Sequence, residues 1–250
     1  MKILGVETGR VAGQDSGELG RLLNRNAALR GVFANEPELE ARLAELQRWQ
    51  SERLLRSHAD LHQNPRYRKA VEFFFQELYS GGDPRGRDRD LLKVQRVMER
   101  LLPAQALRSL TLAIELEVLS QELDAEVTRT LPAGPISVET YSEAYRRAGR
   151  RADRERQIEL LGEIGNYLDG VVRKPVIRGL VRLARGPAHA AGFGELQEFL
   201  EHGLNAFEAM GGSREFLDAI QDRETRAMQR VLARTPDPFE FDAPLGRAMA

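Results

Sequence analysis

The sequence predicts an all-α protein, a single bundle of about nine helices packed around a buried central helix near residues 104–131. Two features of the composition support this class. Aromatic residues make up only 6% of the 250 residues, and β-branched residues are few beside Ala, Leu, Glu and Arg, which favour helices. The third feature is the pattern, because apolar residues recur at helical spacing and strand-like alternation is hard to find.

The predicted helices are separated by prolines, glycines and capping residues. Pro37 suits the first turn of a helix, because the amide hydrogen that proline lacks would have no partner there. The Pro-Ala-Gly-Pro sequence of residues 132–135 ends the central helix, and Ser137 caps the helix that follows. In chain order, the predicted helices span residues 37–64, 66–79, 88–102, 103–131, 137–147, 153–174, 175–185, 194–210 and 213–233.

The domain organisation follows from the same boundaries. Residues 1–21 contain five glycines and few periodic apolar positions, which predicts a flexible leader. Residues 22–233 form the predicted all-α domain, and residues 234–250 form a flexible tail that contains three prolines. A division into two lobes near residue 134 is the alternative, but a single domain is favoured because no long linker is evident.

The composition excludes several classes of function. The chain contains no cysteine, which rules out thiol nucleophiles, disulfides, Cys-based zinc sites and iron–sulfur clusters. Its 42% apolar content is too high for a disordered protein. No apolar run reaches the roughly 18–20 residues that span a bilayer. We therefore expect a soluble, cytoplasmic protein with no transmembrane segment and no signal peptide.

The central helix carries acidic residues although its apolar side chains point almost all round the axis. Glu115 and Glu122 share one face, and Ser120 and Asp124 share another. A buried carboxylate needs a positive or hydrogen-bonding partner, or it takes up a proton. The available partners are Arg66, Arg87 and the arginines of residues 146–156, and we expect ion pairs that fix the register of the helices. A polar pocket for a small ligand is the alternative, and its candidate residues are Glu77, Tyr79, Arg87, Glu115 and Glu122.

Charge is distributed unevenly along the second half of the chain. Residues 144–185 carry a net charge of +6, and residues 195–224 carry −6. Arg178, Arg182 and Arg185 form one stripe on a helix, which is the candidate interaction surface. The near-neutral chain, the adjacent acidic segment and the scarcity of aromatic residues argue against a nucleic-acid partner. We expect the two surfaces to pair, within the chain or between two copies of it.

No residue pattern predicts a metal or a cofactor. His58 and His62 lie four residues apart, which is a plausible spacing for two metal ligands on a helix, but a third ligand is not evident. The Glu-x-x-His motif of di-iron helical bundles does not occur. We therefore assign no metal, no cofactor and no catalytic residue.

Residues 66–79 resemble a known signature. Residues 73–79, Phe-Phe-Phe-Gln-Glu-Leu-Tyr, are similar to the motif of the bacterial proteins named for the sequence FFLEELY, with Phe75 and Gln76 as the two differences. Further matches follow in order along the chain, at residues 87–88, 101–103, 119–120, 123–124, 154–158, 186–188 and 196–200. The resemblance covers roughly residues 28–232 and implies membership of a family, but no reaction.

These observations favour a non-enzymatic protein-interaction or scaffold module, with another protein or a second copy of the chain as its partner. The sequence leaves open whether the chain is an enzyme and favours that it is not, because no catalytic constellation is found. The alternative function is a helical bundle that binds a small apolar or anionic ligand in a polar pocket beside the central helix.

Overall fold

The computed structural model of the chain describes residues 17–73, 91–95, 104–172 and 174–240. In these ranges it contains helices and no strand, which confirms the all-α class. Residues 91–95 are helical, and ten further helices are numbered here in chain order. They are α1 (Glu18–Ala34), α2 (Pro37–Ser57), α3 (Ala59–Gln63), α4 (Arg68–Phe73), α5 (Ala104–Thr130), α6 (Val138–Ala148), α7 (Arg151–Val172), α8 (Pro175–Ala190), α9 (Gly194–Met210) and α10 (Arg214–Leu232).

Helix α5 is the predicted central helix. It is 27 residues long and packs against α1, α2, α6 and α7. Leu112 and Val127, which lie at opposite ends of α5, are both completely buried. The prediction of a buried central helix is confirmed, because an α-helix with apolar residues on every side can only be accommodated inside a bundle.

Local signals correctly placed several helix ends. Helix α2 begins at Pro37, and α9 ends where Gly211 takes a left-handed conformation with φ of +69°. Helix α6 has a reciprocal cap. The backbone amide of Thr140 donates to Ser137 Oγ over 3.2 Å, and the amide of Ser137 donates to Thr140 Oγ1 over 2.8 Å.

Three boundaries differ from the prediction. Helix α1 is absent from the predicted helices and begins at Glu18, inside the expected leader, where Leu19 packs in an apolar cluster with Ile114 of α5. Helix α8 runs past residue 185 to Ala190 with Pro187 inside it. The expected continuous helix over residues 37–64 is divided into α2 and α3 at His58, whose backbone leaves the helical conformation.

The first residues after α10 pack on the bundle, although they were expected to begin a flexible tail. The ring of Phe239 lies 6.1 Å from that of Trp49 and 5.8 Å from that of Tyr141. Ser57 Oγ donates to the carbonyl oxygen of Phe239 over 3.2 Å. Residues 234–240 therefore cover one side of the helical bundle.

Helices α7 and α10 approach each other closely through glycines. A Cβ atom on Gly165 would overlap the side chain of Leu217, and one on Gly162 would lie 2.6 Å from the side-chain oxygen of Gln221. Glycine permits this close approach because it carries no side chain. The close approach also holds α10 beside the interior face of α7, where the candidate site lies.

Candidate functional site

A cavity of about 170 Å³ lies inside the bundle, between α2, α5, α6, α7 and α10. One part of its lining is apolar and includes Leu61, Val71, Phe216 and Leu217, which belong to one hydrophobic cluster. A second part is polar and includes Gln50, Ser120, Asp124, Arg154 and Gln157. The cavity therefore offers an apolar volume next to buried hydrogen-bonding groups.

Asp124 of α5 is one of these polar groups, and only 7% of its surface is exposed. Gln50 Nε2 on α2 donates to Asp124 Oδ1 over 2.9 Å. Burial raises the pKa of the Asp124 carboxyl group, although the charge of Arg154 and hydrogen bonds from Gln50 and Gln47 act in the opposite direction. The site thus favours the neutral form of Asp124 more than water does.

Arg154 of α7 is 5% exposed and has weak contacts. Its Nη1 lies 3.4 Å from Gln157 Oε1, and its Nη2 lies 3.4 Å from the carbonyl oxygen of Leu123. Its buried Nε has no hydrogen-bond partner among the described residues. The guanidinium carbon lies 4.5 Å from the centre of the Tyr145 ring. In the described part of the chain no carboxylate forms an ion pair with this cation, whose charge acts on Asp124 only at longer range.

Gln157 connects the polar lining of α7 to α5. Its Nε2 donates to Ser120 Oγ over 2.8 Å, so its Oε1 is the atom that faces Arg154. Ser120 and Asp124 lie on one face of α5, as the sequence predicted. This face, and not the face of the two glutamates, lines the cavity.

A second group of buried charges lies beside the same cavity, and we call it the paired cluster: Arg53, His58, Asp60, Arg223 and Glu224. Arg53 Nη1 donates to both carboxylate oxygens of Glu224, over 2.7 and 2.8 Å. Arg223 binds Asp60 with two hydrogen bonds of 2.7 and 2.8 Å. The ring nitrogen Nε2 of His58 lies 3.0 Å from Glu224 Oε1. Each arginine in this cluster therefore has a carboxylate partner.

The electrostatics of Glu224 show the effect of this pairing. Burial acts to raise the pKa of Glu224, but the charge of Arg53 and the hydrogen bond with His58 outweigh it and lower the pKa to about 2. Glu224 is thus held as a carboxylate, whereas Asp124 is shifted toward its neutral form. The contacts of His58 also explain the end of α2, since the chain turns there to direct this histidine inward.

The two glutamates proposed from the sequence as ligand-binding residues are ion-paired outside the cavity lining. Glu115 accepts a hydrogen bond of 3.1 Å from Arg156 Nε. Glu122 lies 2.5 Å from Arg25 and 3.3 Å from Arg150. Arg150 and Arg156 belong to the expected partners, whereas Arg25 was not among them and Arg66 pairs with Glu215 instead. The other three candidates, Glu77, Tyr79 and Arg87, lie outside the described residues.

The predicted basic stripe forms ion pairs with the acidic helix that follows it. Arg178 of α8 pairs with Glu208 of α9, and Arg185 Nε donates to Glu201 Oε1 over 2.8 Å. The third member, Arg182, is exposed and has no ion pair in the described part of the chain. Two of the three stripe residues thus pair within one copy, as one form of the prediction states.

The two histidines with metal-ligand spacing do not converge. His58 faces Glu224, whereas His62 Nε2 lies 3.9 Å from a carboxylate oxygen of Glu72. Across the described ranges, no group of three or more His, Asp or Glu side chains is arranged to hold a metal ion. Among the same residues, no helix combines the length and apolar character needed to cross a membrane.

Sequence reasoning grouped Arg154 with the other arginines and missed its position in the cavity. The available signal was its register, because Arg154 precedes Ile158 and Leu161 by four and seven residues and so shares their face. Both of these apolar residues line the cavity. Gln50 occupies a similar place on α2, four residues after the completely buried Leu46. A polar residue in the register of core positions was therefore the useful clue.

Comparison with known proteins identifies a family. A family model described as a domain of unknown function (DUF8198) matches residues 31–238, and the chain belongs to this family. Neither the curated proteins nor the solved structures contain a match to the chain.

Proposed function

We propose that this member of the DUF8198 family binds one small, mainly apolar molecule in the cavity between α2, α5, α7 and α10. The observation that carries the proposal is the cavity of about 170 Å³, in which an apolar lining adjoins buried polar groups. An engineered apolar cavity of about 150 Å³ in another protein takes up benzene. The volume therefore suits a molecule of one ring with a short substituent.

The energetics support a bound molecule. Protein interiors are close-packed, and a cavity larger than a few water molecules is uncommon. A ligand that fills the apolar part recovers contacts that the surrounding side chains lack. The alternative function of the sequence analysis, a pocket beside the central helix, is thus retained on a different face of α5.

Isothermal titration calorimetry with 3-phenylpropan-1-ol and 3-phenylpropanamide tests the proposal. A matched pair of variants locates the site. Ala227 of α10 lines the cavity, and Ala227→Leu is expected to abolish binding by filling it. Ala209→Leu, at an exposed position of α9, is expected to leave binding unchanged. Binding that survives in Ala227→Leu, or no binding of any single-ring probe to the wild type, contradicts the proposal.

A second function, contact between two copies of the chain, is favoured by an exposed apolar stripe on α8. Val176, Leu180 and Leu183 are 68%, 46% and 77% exposed and follow each other at helical spacing. Exposed Arg182 of α8 and exposed Glu198 of α9 lie on neighbouring helices. A two-fold contact between copies brings a basic and an acidic surface together twice. This contact is the protein-interaction module expected from the sequence.

Light scattering of the purified protein at several concentrations tests this second proposal. The wild type is expected to dimerise, and Leu183→Lys is expected to shift the equilibrium to monomer, because a charge replaces an apolar contact. Val32→Lys, at an exposed apolar residue of α1, is the control. A wild type that is monomeric at every concentration and salt level overturns it.

The finer family assignment is also a proposal. We propose that the chain belongs with the bacterial FFLEELY-motif proteins, and the support is the ordered series of matched segments from residues 66–79 to 196–200. A family alignment with that motif at residues 73–79 tests this assignment. A cytoplasmic location remains an expectation of the sequence, to be tested by fractionation of the source cells.

A further inference from the structure

We infer that the molecule bound in the cavity is a monocarboxylate, whose carboxylate group binds the guanidinium of Arg154 while its apolar body lies against the apolar lining. This inference rests on the proposed function, since it names the class of ligand for that same cavity. It assigns Arg154 as the residue that selects an anion over a neutral molecule of equal size.

Three buried arginines of the bundle differ in their hydrogen-bond partners. Arg53, Arg154 and Arg223 are 7%, 5% and 4% exposed. Arg53 and Arg223 each bind a carboxylate with hydrogen bonds of 2.7 and 2.8 Å. Arg154 has hydrogen bonds of 3.4 Å to neutral oxygens only. Because arginine is almost never fully buried unless it is paired, Arg154 stands out as a buried cation that has no carboxylate partner among the residues that the structure describes.

The orientation of the Arg154 guanidinium determines where a ligand can accept hydrogen bonds from it. The Tyr145 ring lies 4.5 Å from the guanidinium carbon of Arg154, so the ring occupies one face of the guanidinium. Hydrogen bonds from a guanidinium lie in its plane and are not blocked by stacking on its face. The buried Nε has no partner in the described part of the chain. A carboxylate can therefore accept two parallel N–H bonds along the edge that includes Nε.

The charged side chains of the polar lining also favour an anionic ligand. Asp124 is the acid of the lining whose pKa responds to the charge of Arg154, and its burial raises that pKa and so favours the neutral form. No oxygen of Asp124 lies within ion-pair distance of Arg154, although both residues are described. The arginines of the paired cluster are already matched by Asp60 and Glu224. Among the described residues, Arg154 is therefore the arginine of the lining that no carboxylate pairs with, and a bound monoanion supplies that partner.

The class of anion follows from the number of cations and the available volume. One guanidinium matches one carboxylate in charge and shape, whereas a phosphate dianion requires further cations to offset its desolvation. The apolar lining, which includes Ile158, Leu161 and Ile220, suits a hydrocarbon or aromatic body. A small apolar monocarboxylate satisfies both parts of the cavity.

Calorimetric titration of the full chain at pH 7 with three matched probes tests the inference. The probes are 3-phenylpropanoate, 3-phenylpropanamide and 3-phenylpropan-1-ol, which share one body and differ in the end group. The carboxylate is expected to bind the wild type at least about tenfold more tightly than the amide, as charge-assisted hydrogen bonds are stronger than neutral ones. Equal affinities for the carboxylate and the amide overturn the inference and leave the proposed function standing.

Two variants then assign the effect to Arg154. Arg154→Met is expected to weaken carboxylate binding at least about tenfold and to leave the affinity for the alcohol within about threefold. Arg151→Met, at an exposed position of the same helix, is the control and is expected to change neither. An equal loss for all three probes in Arg154→Met contradicts the inference. If none of the three probes binds the wild type, the proposed function fails as well.

The comparison of probes on the wild type does not depend on the folding of any variant. Circular dichroism and thermal unfolding establish that each variant is folded. Where Arg154→Met does not fold, Arg154→Lys keeps the charge and removes the planar pair of donors. It is expected to bind the carboxylate less tightly than the wild type and the alcohol equally well. Unchanged carboxylate affinity in Arg154→Lys removes the role of the paired N–H donors.

Discussion

Two groups of buried charges lie beside one cavity and differ in how their charges are compensated. In the paired cluster, short hydrogen bonds join each arginine to a carboxylate. At the other group, formed by Asp124 and Arg154, no ion pair occurs within the described part of the chain, and the contacts of the guanidinium are long. Burial of a charged side chain is common to both. In the paired cluster, each buried arginine is paired with a carboxylate of the protein, and these pairs hold helices together. For the second group, which lacks such a pair among the described residues, we propose ligand binding.

The paired cluster connects distant parts of the chain. Arg53 and Glu224 are 171 residues apart, and Asp60 of α3 binds Arg223 of α10. His58, at the bend between α2 and α3, contacts Glu224. The cluster therefore fixes α2 and α3 against α10, and removal of one member leaves another charge buried without a partner.

The largest effect is expected for Glu224→Gln, which tests whether the paired cluster is structural. The variant leaves Arg53 buried without a carboxylate, so we expect the free energy of unfolding to fall by about 3 to 5 kcal/mol. Urea denaturation measures this change. The control is Glu215→Gln, at an exposed ion pair with Arg66, for which we expect a loss below about 1 kcal/mol. Equal losses of unfolding free energy in the two variants would show that the paired cluster stabilises the fold no more than an exposed ion pair does.

The pH dependence of stability follows from the same carboxylate. The folded-state pKa of Glu224 is lowered from 4.5 to about 2. Its stabilising contribution is therefore complete above pH 4.5 and is lost as the pH falls toward 2. We expect the stability difference between the wild type and Glu224→Gln to shrink over this window when both are unfolded in urea. A difference that is constant with pH contradicts the lowered pKa.

Asp124→Asn tests the second group. Here the stabilising contribution is lost as the pH rises, whereas that of Glu224 is lost as the pH falls. Because burial raises the pKa of Asp124 above 3.8, the stability of the neutral form is complete below pH 3.8 and is lost as the pH rises through the folded-state pKa. Asparagine resembles the neutral carboxyl group at every pH. We expect the variant to be more stable than the wild type at pH 7, with a gain that shrinks as the pH falls toward 3.8. A destabilised variant at pH 7 would show that Asp124 is needed as an anion.

The smallest change in stability is expected for Arg154→Met. Methionine fills a similar volume without the desolvation of an unpaired cation, so the free energy of unfolding should not fall by more than about 1 kcal/mol. Arg223→Met provides the comparison, because it removes the buried arginine that binds Asp60 with two hydrogen bonds, and it should cost about 3 kcal/mol. Chemical denaturation of both variants measures their free energies of unfolding. A loss in Arg154→Met as large as that in Arg223→Met would place Arg154 in a structural role.

Much of the fold could be predicted because its signals are local. The all-round apolar pattern of residues 104–130, Pro37 and the Ser137 cap each act within a few residues of the helix that they define. The break at His58 could not be predicted in this way. No proline or glycine marks it, and its cause is a contact with Glu224, 166 residues away.

The candidate site was predicted only in part, for a similar reason. The sequence indicated that a polar pocket could lie beside the central helix, but it favoured the face of Glu115 and Glu122. Those carboxylates are satisfied by arginines of neighbouring helices. Which face of α5 adjoins a cavity depends on how α7 and α10 pack, and periodicity within one helix carries no information about that packing.

The glycine contact between α7 and α10 has a consequence for the family as a whole. Gly165 permits the two helices to approach so closely that Leu217 occupies the space of a side chain, and Leu217 also lines the cavity. A relative with alanine at position 165 needs a smaller residue at position 217 or a wider helix separation. Either change alters the cavity volume, so covariation of these two positions across relatives would record how the size of this cavity has diverged.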